Sequence, residues 1–465
     1  MAERRQGKRK TKAYSDHQQQ LIDPSMMKWL VALCGSAAML LLFPNLVFAQ
    51  FNIDGQMLIR SEFRNGYNRP LAENQDPAGF IAHRARLQAG YTKDQFTFFM
   101  SIQDIRTWGS SSQANLSDDF LSVHEAYGEV ALGEHWKMKL GRQELNYDNA
   151  RFLGNLDWAL QARSHDFALM KYEKEKAKLH FGGGFNQENQ RLSGNLYTLP
   201  NQYRNAQLVR FENVLGKVDY SLLFWNEGRQ WIQRDANGNI LADGIRYRQT
   251  LGIPTLRSTL KNTTLSAYFY YQFGEDPVGR SVSAFNTSAQ ISQLLFNSEE
   301  GRKWRATAGF ELISGNDVNG SATNRAYSLQ YGTNHLFNGY MDWFYVANAW
   351  ENSVGLKDFY LRSRYEFNPK FWVQTDFHQF SAYANHQPFN SSNLVPEKNL
   401  GSELDFTFGW ILNESVSLQG GFHQFFFTET LESLQPSLIQ NQQNWAYLMF
   451  VFRPTSKAKF IGVLQ

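Results

Sequence analysis

The sequence predicts an all-β chain: a transmembrane antiparallel up-and-down β-barrel of about 18 strands, behind a cleaved N-terminal signal peptide. Three observations predict it. Aromatic residues make up 15% of the 465 positions while charged residues make up only 19%, an aromatic share about twice that of an ordinary globular composition. Apolar and polar side chains alternate strictly in blocks of about ten residues. The one long apolar run, residues 29–43, lies near the front.

Each observation also excludes something. A disordered chain is poor in aromatics and rich in charge, so this composition is not disordered. A bundle of membrane helices needs many apolar runs of roughly 20 residues. The single run here is shorter than that and follows Lys28, is broken by Pro44, and leads to Val47, Phe48 and Ala49 before Gln50. This is the layout of a signal peptide over 26–49, cleaved after Ala49. Residues 1–25 then read as a basic leader or an upstream over-read, with Met26 or Met27 as the start. Residues 50–465 read as one barrel domain. Seven of the 46 basic residues and three of the 43 acidic ones precede Gln50, so the remainder carries one net negative charge. Nucleic-acid binding loses its electrostatic support. The single cysteine, Cys34, also leaves with the leader, and with it any thiol, disulfide or thiolate ligand.

The first block sets the pattern. Phe51, Ile53, Gly55, Met57, Ile59, Ser61 and Phe63 oppose Asn52, Asp54, Gln56, Leu58, Arg60, Glu62 and Arg64. Similar blocks surround Phe98, Ile245 and Trp304. Large aromatics recur near the ends of the apolar stripes: Phe51, Phe63, Trp136, Tyr172, Trp225, Tyr271, Trp343, Trp350, Trp410 and Trp445. An apolar band between aromatic girdles, with polar side chains on a wet interior, belongs to outer-membrane barrels. Residues 132–135 and 368–370 read as tight turns. The segments 65–79, 109–119, 188–204, 226–243, 275–300, 314–340 and 383–400 read as long loops. At about 22–24 residues per strand and connection, residues 50–465 give roughly 18 strands. Residues 445–452 read as the last strand, apolar on both faces, and 455–465 as a tail or a misread end.

Catalytic constellations are scarce. Ser164, His165 and Asp166 are consecutive on a strand and point to opposite faces, so they form no relay. His124 and Glu125 lack the second histidine of a zinc helix. Gly182, Gly183 and Gly184 sit in a strand-like block, where close backbone approach accounts for them. Residues 317–320 (Asp-Val-Asn-Gly) read as a loop turn. No enzyme and no cofactor are expected. The arginines carry more. Arg60, Arg64, Arg84, Arg86, Arg246, Arg248 and Arg305 all fall on the polar side of their blocks, several as i, i+2 pairs. In a lumen, fixed guanidinium groups favour anions. They also suit pairing with Glu62, Glu125, Glu129 and Glu311, which would brace the wall.

Three stretches resemble the alginate export family: residues 141–154 with the continuation through Asp157, Trp158, Arg163 and Asp166; residues 331–342; and residues 400–405. The resemblance implies an 18-stranded monomeric barrel with an arginine-rich constriction that passes a polyuronate. It places Arg142, Arg151 and Arg163 in the basic lining and Asp157, Asp166 and Asp342 as acids supporting it. The absence of net positive charge leaves selectivity to local placement. The Asn-, Gln- and aromatic-rich loops also suit neutral sugars.

The function these readings imply is passive diffusion or export of an anionic polysaccharide through an arginine-lined channel in the bacterial outer membrane. Uptake of small sugars or anionic nutrients is the alternative. An outer-membrane enzyme or adhesin, and a soluble carbohydrate-binding β-protein, are the other classes. Expected partners are outer-membrane lipid, the solute and periplasmic export machinery.

Overall fold

Alternation dictates the architecture. A strand with one greasy face and one polar face has its greasy face in lipid, and in lipid every backbone N–H and C=O must be paired. An antiparallel sheet meets that demand only by closing on itself. The computed structural model describes residues 50–463 except 116, 318–321, 330, 345–352, 387–396, 436 and 457. The leader, the signal peptide, Trp350 and residues 318–320 of the Asp-Val-Asn-Gly turn lie outside the described residues.

The sheet opens with β1 (Gln50–Asn65), β2 (Ala78–Lys93), β3 (Phe96–Thr107), β4 (Leu121–Ala131) and β5 (Trp136–Gln143). It continues through β6 (His165–Lys174), β7 (Ala177–Phe185), β8 (Asn205–Leu215), β9 (Val218–Arg234) and β10 (Ile240–Leu260). Then come β11 (Thr263–Glu275), β12 (Ser281–Asn297), β13 (Lys303–Ile313) and the two-residue β14 (Thr323–Asn324). The wall ends with β15 (Leu356–Asn368), β16 (Phe371–Ala382), β17 (Asn399–Ile411), β18 (Val416–Phe427) and β19 (Gln443–Phe452). Leaving β14 aside, these are 18 wall strands, each antiparallel to both neighbours. β13 pairs directly with β15, and the ring closes where β1 pairs with β19 from Met57 opposite Phe452 to Asn65 opposite Asn444. β14 makes a short parallel contact with β12. A five-residue helix, α1 (Glu429–Ser433), is capped by the Thr428 hydroxyl accepting from Leu431 N–H.

One end of the barrel has short turns, including the two expected at 132–135 and 368–370, and the other has the long connections, together with the short turns at 235–239 and 276–280. Outer-membrane barrels place short turns in the periplasm and long loops outside. Two expected loops are strand instead. Most of 226–243 belongs to β9 and β10, joined by a turn at 235–239, and 281–297 is β12. β12 is rich in Ser, Thr, Asn and Gln, a composition that imitates a loop. Conversely, residues 144–164 and 428–442, which the composition does not set apart as loops, connect β5 to β6 and β18 to β19. Gly182 sits in β7 where a Cβ would fall 2.0 Å from the Ala168 carbonyl oxygen, so close backbone approach explains the glycine run.

The outer face carries the exposed Phe51, Phe63, Trp136, Tyr271 and Trp410. Trp225, Trp343 and Trp445 depart from the expected girdle. Trp225 and Trp445 are fully buried on the inner wall, and Trp343 stacks on Phe425 at 4.1 Å from an inward-folded loop. The interior there is filled with protein, so the inner face of these strands is apolar too.

The two faces of a strand should respond differently to the same change. Leu361→Arg, on the outer face of β15, is expected to destabilise the barrel by about 2–4 kcal/mol if it lies near the bilayer midplane. Thr259→Arg, on the inner side of β10, is expected to cost under about 1 kcal/mol. Urea unfolding in lipid vesicles distinguishes the two, and equal costs would contradict the assignment of faces.

Candidate functional site

Two connections fold into the lumen, and inner-wall arginines hold the first of them. Residues 144–164, between β5 and β6, bury Leu145, Arg151, Phe152, Leu153 and Trp158. Residues 325–344 bury Tyr327, Leu329, Tyr331, His335 and Met341. The loops bind each other through their backbones. Gly154 N–H donates to Tyr331 C=O and Thr333 N–H to Ala150 C=O, both at 2.8 Å. Contact is close enough that a Cβ on Gly154 would meet Thr333 Oγ1 at 2.4 Å. Ala150, Leu156 and Ala162 hold positive φ angles of 62°, 53° and 54°. Such strain persists only where surrounding contacts over-determine it.

On β1, Arg60 donates to Glu62 at 2.7 Å and to Trp158 C=O at 2.8 Å, with its guanidinium 4.3 Å over the Trp158 ring. Arg64 pairs with the other oxygen of Glu62 at 2.9 Å. On β2, fully buried Arg84 donates to Leu160 C=O and Gln56, and to Asp157 at 2.7 Å. Arg86 donates twice to Gln103 and lies 3.9 Å from Asp157. Arg60 and Arg84 therefore grip the first inward loop through its carbonyls and its aspartate. Arg151, on the loop itself, reaches Glu311 on β13 at 2.6 Å, together with Asn334 and Asn338 on the second loop. Arg163 donates to Gly332 C=O at 3.1 Å. Asp342 takes the Tyr67 hydroxyl at 2.5 Å and His335 Nδ1 at 2.8 Å, and that imidazole stacks on Trp158 at 4.0 Å. Glu129 pairs with Lys171, and Glu125 accepts Glu144 N–H at 3.0 Å.

Arg142 and Asp166 are corrections. They oppose each other on β5 and β6, 3.2 Å apart, and share the outward face with Ala126, while Gln143 and His165 beside them turn inward. Parity decides this, since successive strand residues face opposite sides. The same alternation separates His165 from Asp166, as expected of the Ser164 to Asp166 run. Arg246 faces inward at the long-loop end, donating to Pro277 C=O at 2.5 Å over the Trp231 ring. Arg248 is buried opposite Glu227.

Beneath the loops, towards the short-turn end, a cavity of about 950 Å3 remains. Arg305, Arg362 and Arg364 stand on its wall, with Arg210, Glu212 and Glu366 nearby. Arg305 is exposed and directly opposes Arg364 across β13 and β15. Arg362 pairs with Asp376 at 2.7 Å, and Arg364 lies 3.8 Å from Glu366. Arg210 holds Asp148 of the first loop through two bonds of 3.0 and 2.7 Å. Sequence reasoning missed Arg210, Arg362 and Arg364. The signal was present, since Arg362 and Arg364 repeat the i, i+2 spacing of Arg84 and Arg86. Among the described residues, His124, Glu125 and Glu144 bring three metal-type ligand atoms within 4.8 Å of one another, with His124 Nε2 already 2.8 Å from Glu144.

A closed barrel with this topology, an inward-folded constriction and a polar cavity is an outer-membrane β-barrel channel. The chain belongs to the alginate export family, whose model matches residues 49–442. No curated protein matches the sequence. Among solved structures, the fold is similar to Pseudomonas aeruginosa OpdL, with a TM-score of 0.54 and 13% identity over 86% of this chain and 98% of that one. It is likewise similar to OpdQ from the same organism, with a TM-score of 0.54 and 11% identity over 86% and 97%.

The grip on the first loop should depend on acid. Burial favours the neutral Asp157 carboxyl, but Arg84 and Arg86 outweigh it and hold the group below its ordinary value. With the folded value depressed, the stabilisation is complete above the unfolded value of about 3.9 and fades as the pH falls through the folded one. Open-channel noise in bilayer recordings is expected to rise below about pH 4, and Asp157→Asn to be noisy at neutral pH with little further response to acid. Wild-type noise that stays flat down to pH 2 would contradict the clamp.

Proposed function

We propose that the barrel passes an anionic, carboxylate-bearing saccharide of the alginate kind by passive diffusion, and that the arginines of the lower cavity draw it in. The observation that carries this reading is the pair Arg305 and Arg364, set opposite each other on the cavity wall. Like charges directly across a strand pair repel, and an anion bridging them relieves the repulsion. Guanidinium groups match carboxylates in geometry and hold them through charge-assisted bonds. Glu366 and Asp376 temper the charge, which keeps each contact weak enough for the solute to leave. The clamped arginines Arg60, Arg84, Arg86 and Arg151 act differently: they set the position of the constriction.

Uptake of small anionic or neutral sugars is the second reading, and one observation favours it. The two inward loops bury their residues inside the barrel, which leaves room that suits a small solute better than a polymer.

Replacing Arg305 and Arg364 together with glutamate is expected to move the reversal potential in a salt gradient from anion towards cation preference. An unchanged reversal potential removes the patch from the conduction path. Added polyuronate distinguishes the readings: transient block by the polymer supports export of a chain, and block by the monosaccharide acid alone supports uptake.

A further inference from the structure

The residues after β19 turn back into the barrel. β19 reaches the short-turn end at Phe452, where Arg453 N–H donates to Ser415 C=O at 2.8 Å. From there the chain follows the inner wall. The Thr455 hydroxyl donates to Asp54 on β1. On β18 the Ser417 hydroxyl donates to Lys459 C=O at 2.5 Å. Gln419 clasps Ile461 from both sides, donating to its carbonyl at 2.7 Å and accepting its N–H at 3.0 Å. The Phe460 ring meets Trp372 on β16 edge-on at 5.3 Å and lies against Gly409 on β17. At Gly462 a Cβ would fall 2.2 Å from the Trp158 ring, so the segment packs directly against the first inward loop there. Ile461 and Val463 are 4% and 8% exposed.

All of these wall contacts lie on the inner face. Ser417 and Gln419 share parity with buried His423, and Trp372 with buried Asp376. The cavity described above is walled by β8 to β16, whereas this segment lies along β16 to β18 and β1. A chain following the last strand needs no such seat to complete the sheet, because β1 and β19 already close it. The family match ends at residue 442 and so covers neither β19 nor the segment.

We propose that residues 453–463 are a built-in plug that occupies part of the lumen from the periplasmic side, and that its withdrawal widens the passage. The seat suits a removable occupant. Among the described residues it consists of hydrogen bonds and contacts with the Trp372 and Trp158 rings, without strand pairing. Trp372 links it to the rest of the lumen, since the ring that carries Phe460 also lies 3.8 Å under the Arg364 guanidinium. The plug rests on its own contacts and does not require the solute to be an anion.

Single-channel conductance in planar bilayers tests it with two variants. One ends the chain at Arg453. The other keeps the full length and carries Phe460→Asp with Ile461→Asp, which introduces charge into the apolar seat and expels the segment. Both are expected to conduct in steps at least about twofold larger than the unaltered channel, since conductance follows the open cross-section. If the shortened chain fails to assemble, the full-length variant decides alone. Conductance equal to the unaltered channel overturns the plug, whatever the ion preference proves to be.

Discussion

The structure depends on one constraint: a backbone in hydrocarbon has no water to satisfy it. Every wall strand therefore needs two partners, and the pairing of β1 with β19 supplies the last one. Once the ring is closed, side chains sort into two solvents by parity. The lipid side is uniform and accepts only apolar groups across its middle. The inner side is free to vary, and this chain uses that freedom in three ways: ion-paired clamps, a packed aromatic centre and a polar cavity.

The clamps and the packed centre serve each other. A connection folded into the lumen brings its backbone polar groups with it, and each needs a partner. Arg60 and Arg84 supply donors to the carbonyls of Trp158 and Leu160, while Trp158 fills space beside Trp445 and Tyr447. Removing an arginine here would leave buried acceptors and acids unpaired, a larger loss than any single contact suggests. The cavity below inherits its ceiling from these loops, because Asp148 and Asn338 border it. The clamps and the cavity are thus joined through the loops that lie between them.

The barrel was legible because period-two alternation records the lipid face directly. Strand number and the tight turns followed from it. Parity also marked Arg60, Arg84, Arg86 and Arg305 as inward. Arg142 was carried over by resemblance rather than by parity, and its own block, with Lys139 and Gly141 on the inner side, sets it outward. Trp225 and Trp445 misled for a different reason. An aromatic on a wall strand reads the same whether it meets lipid or a buried loop, and only the inward fold of residues 144–164 separates the two. Arg60 and Arg64 meet Glu62 two positions away on their own strand, whereas Arg151 and Glu311 lie 160 positions apart, a pairing that no local pattern records.

The barrel carries no cysteine of its own, because Cys34 precedes Gln50. Single cysteines placed in turn at positions 359 to 366 of β15 can therefore be challenged with a water-soluble, membrane-impermeant thiol reagent in proteoliposomes. The account predicts labelling at 360, 362, 364 and 366 and protection at 359, 361, 363 and 365. Uniform labelling, or the opposite phase, would contradict a wet lumen bounded by a lipid-facing wall.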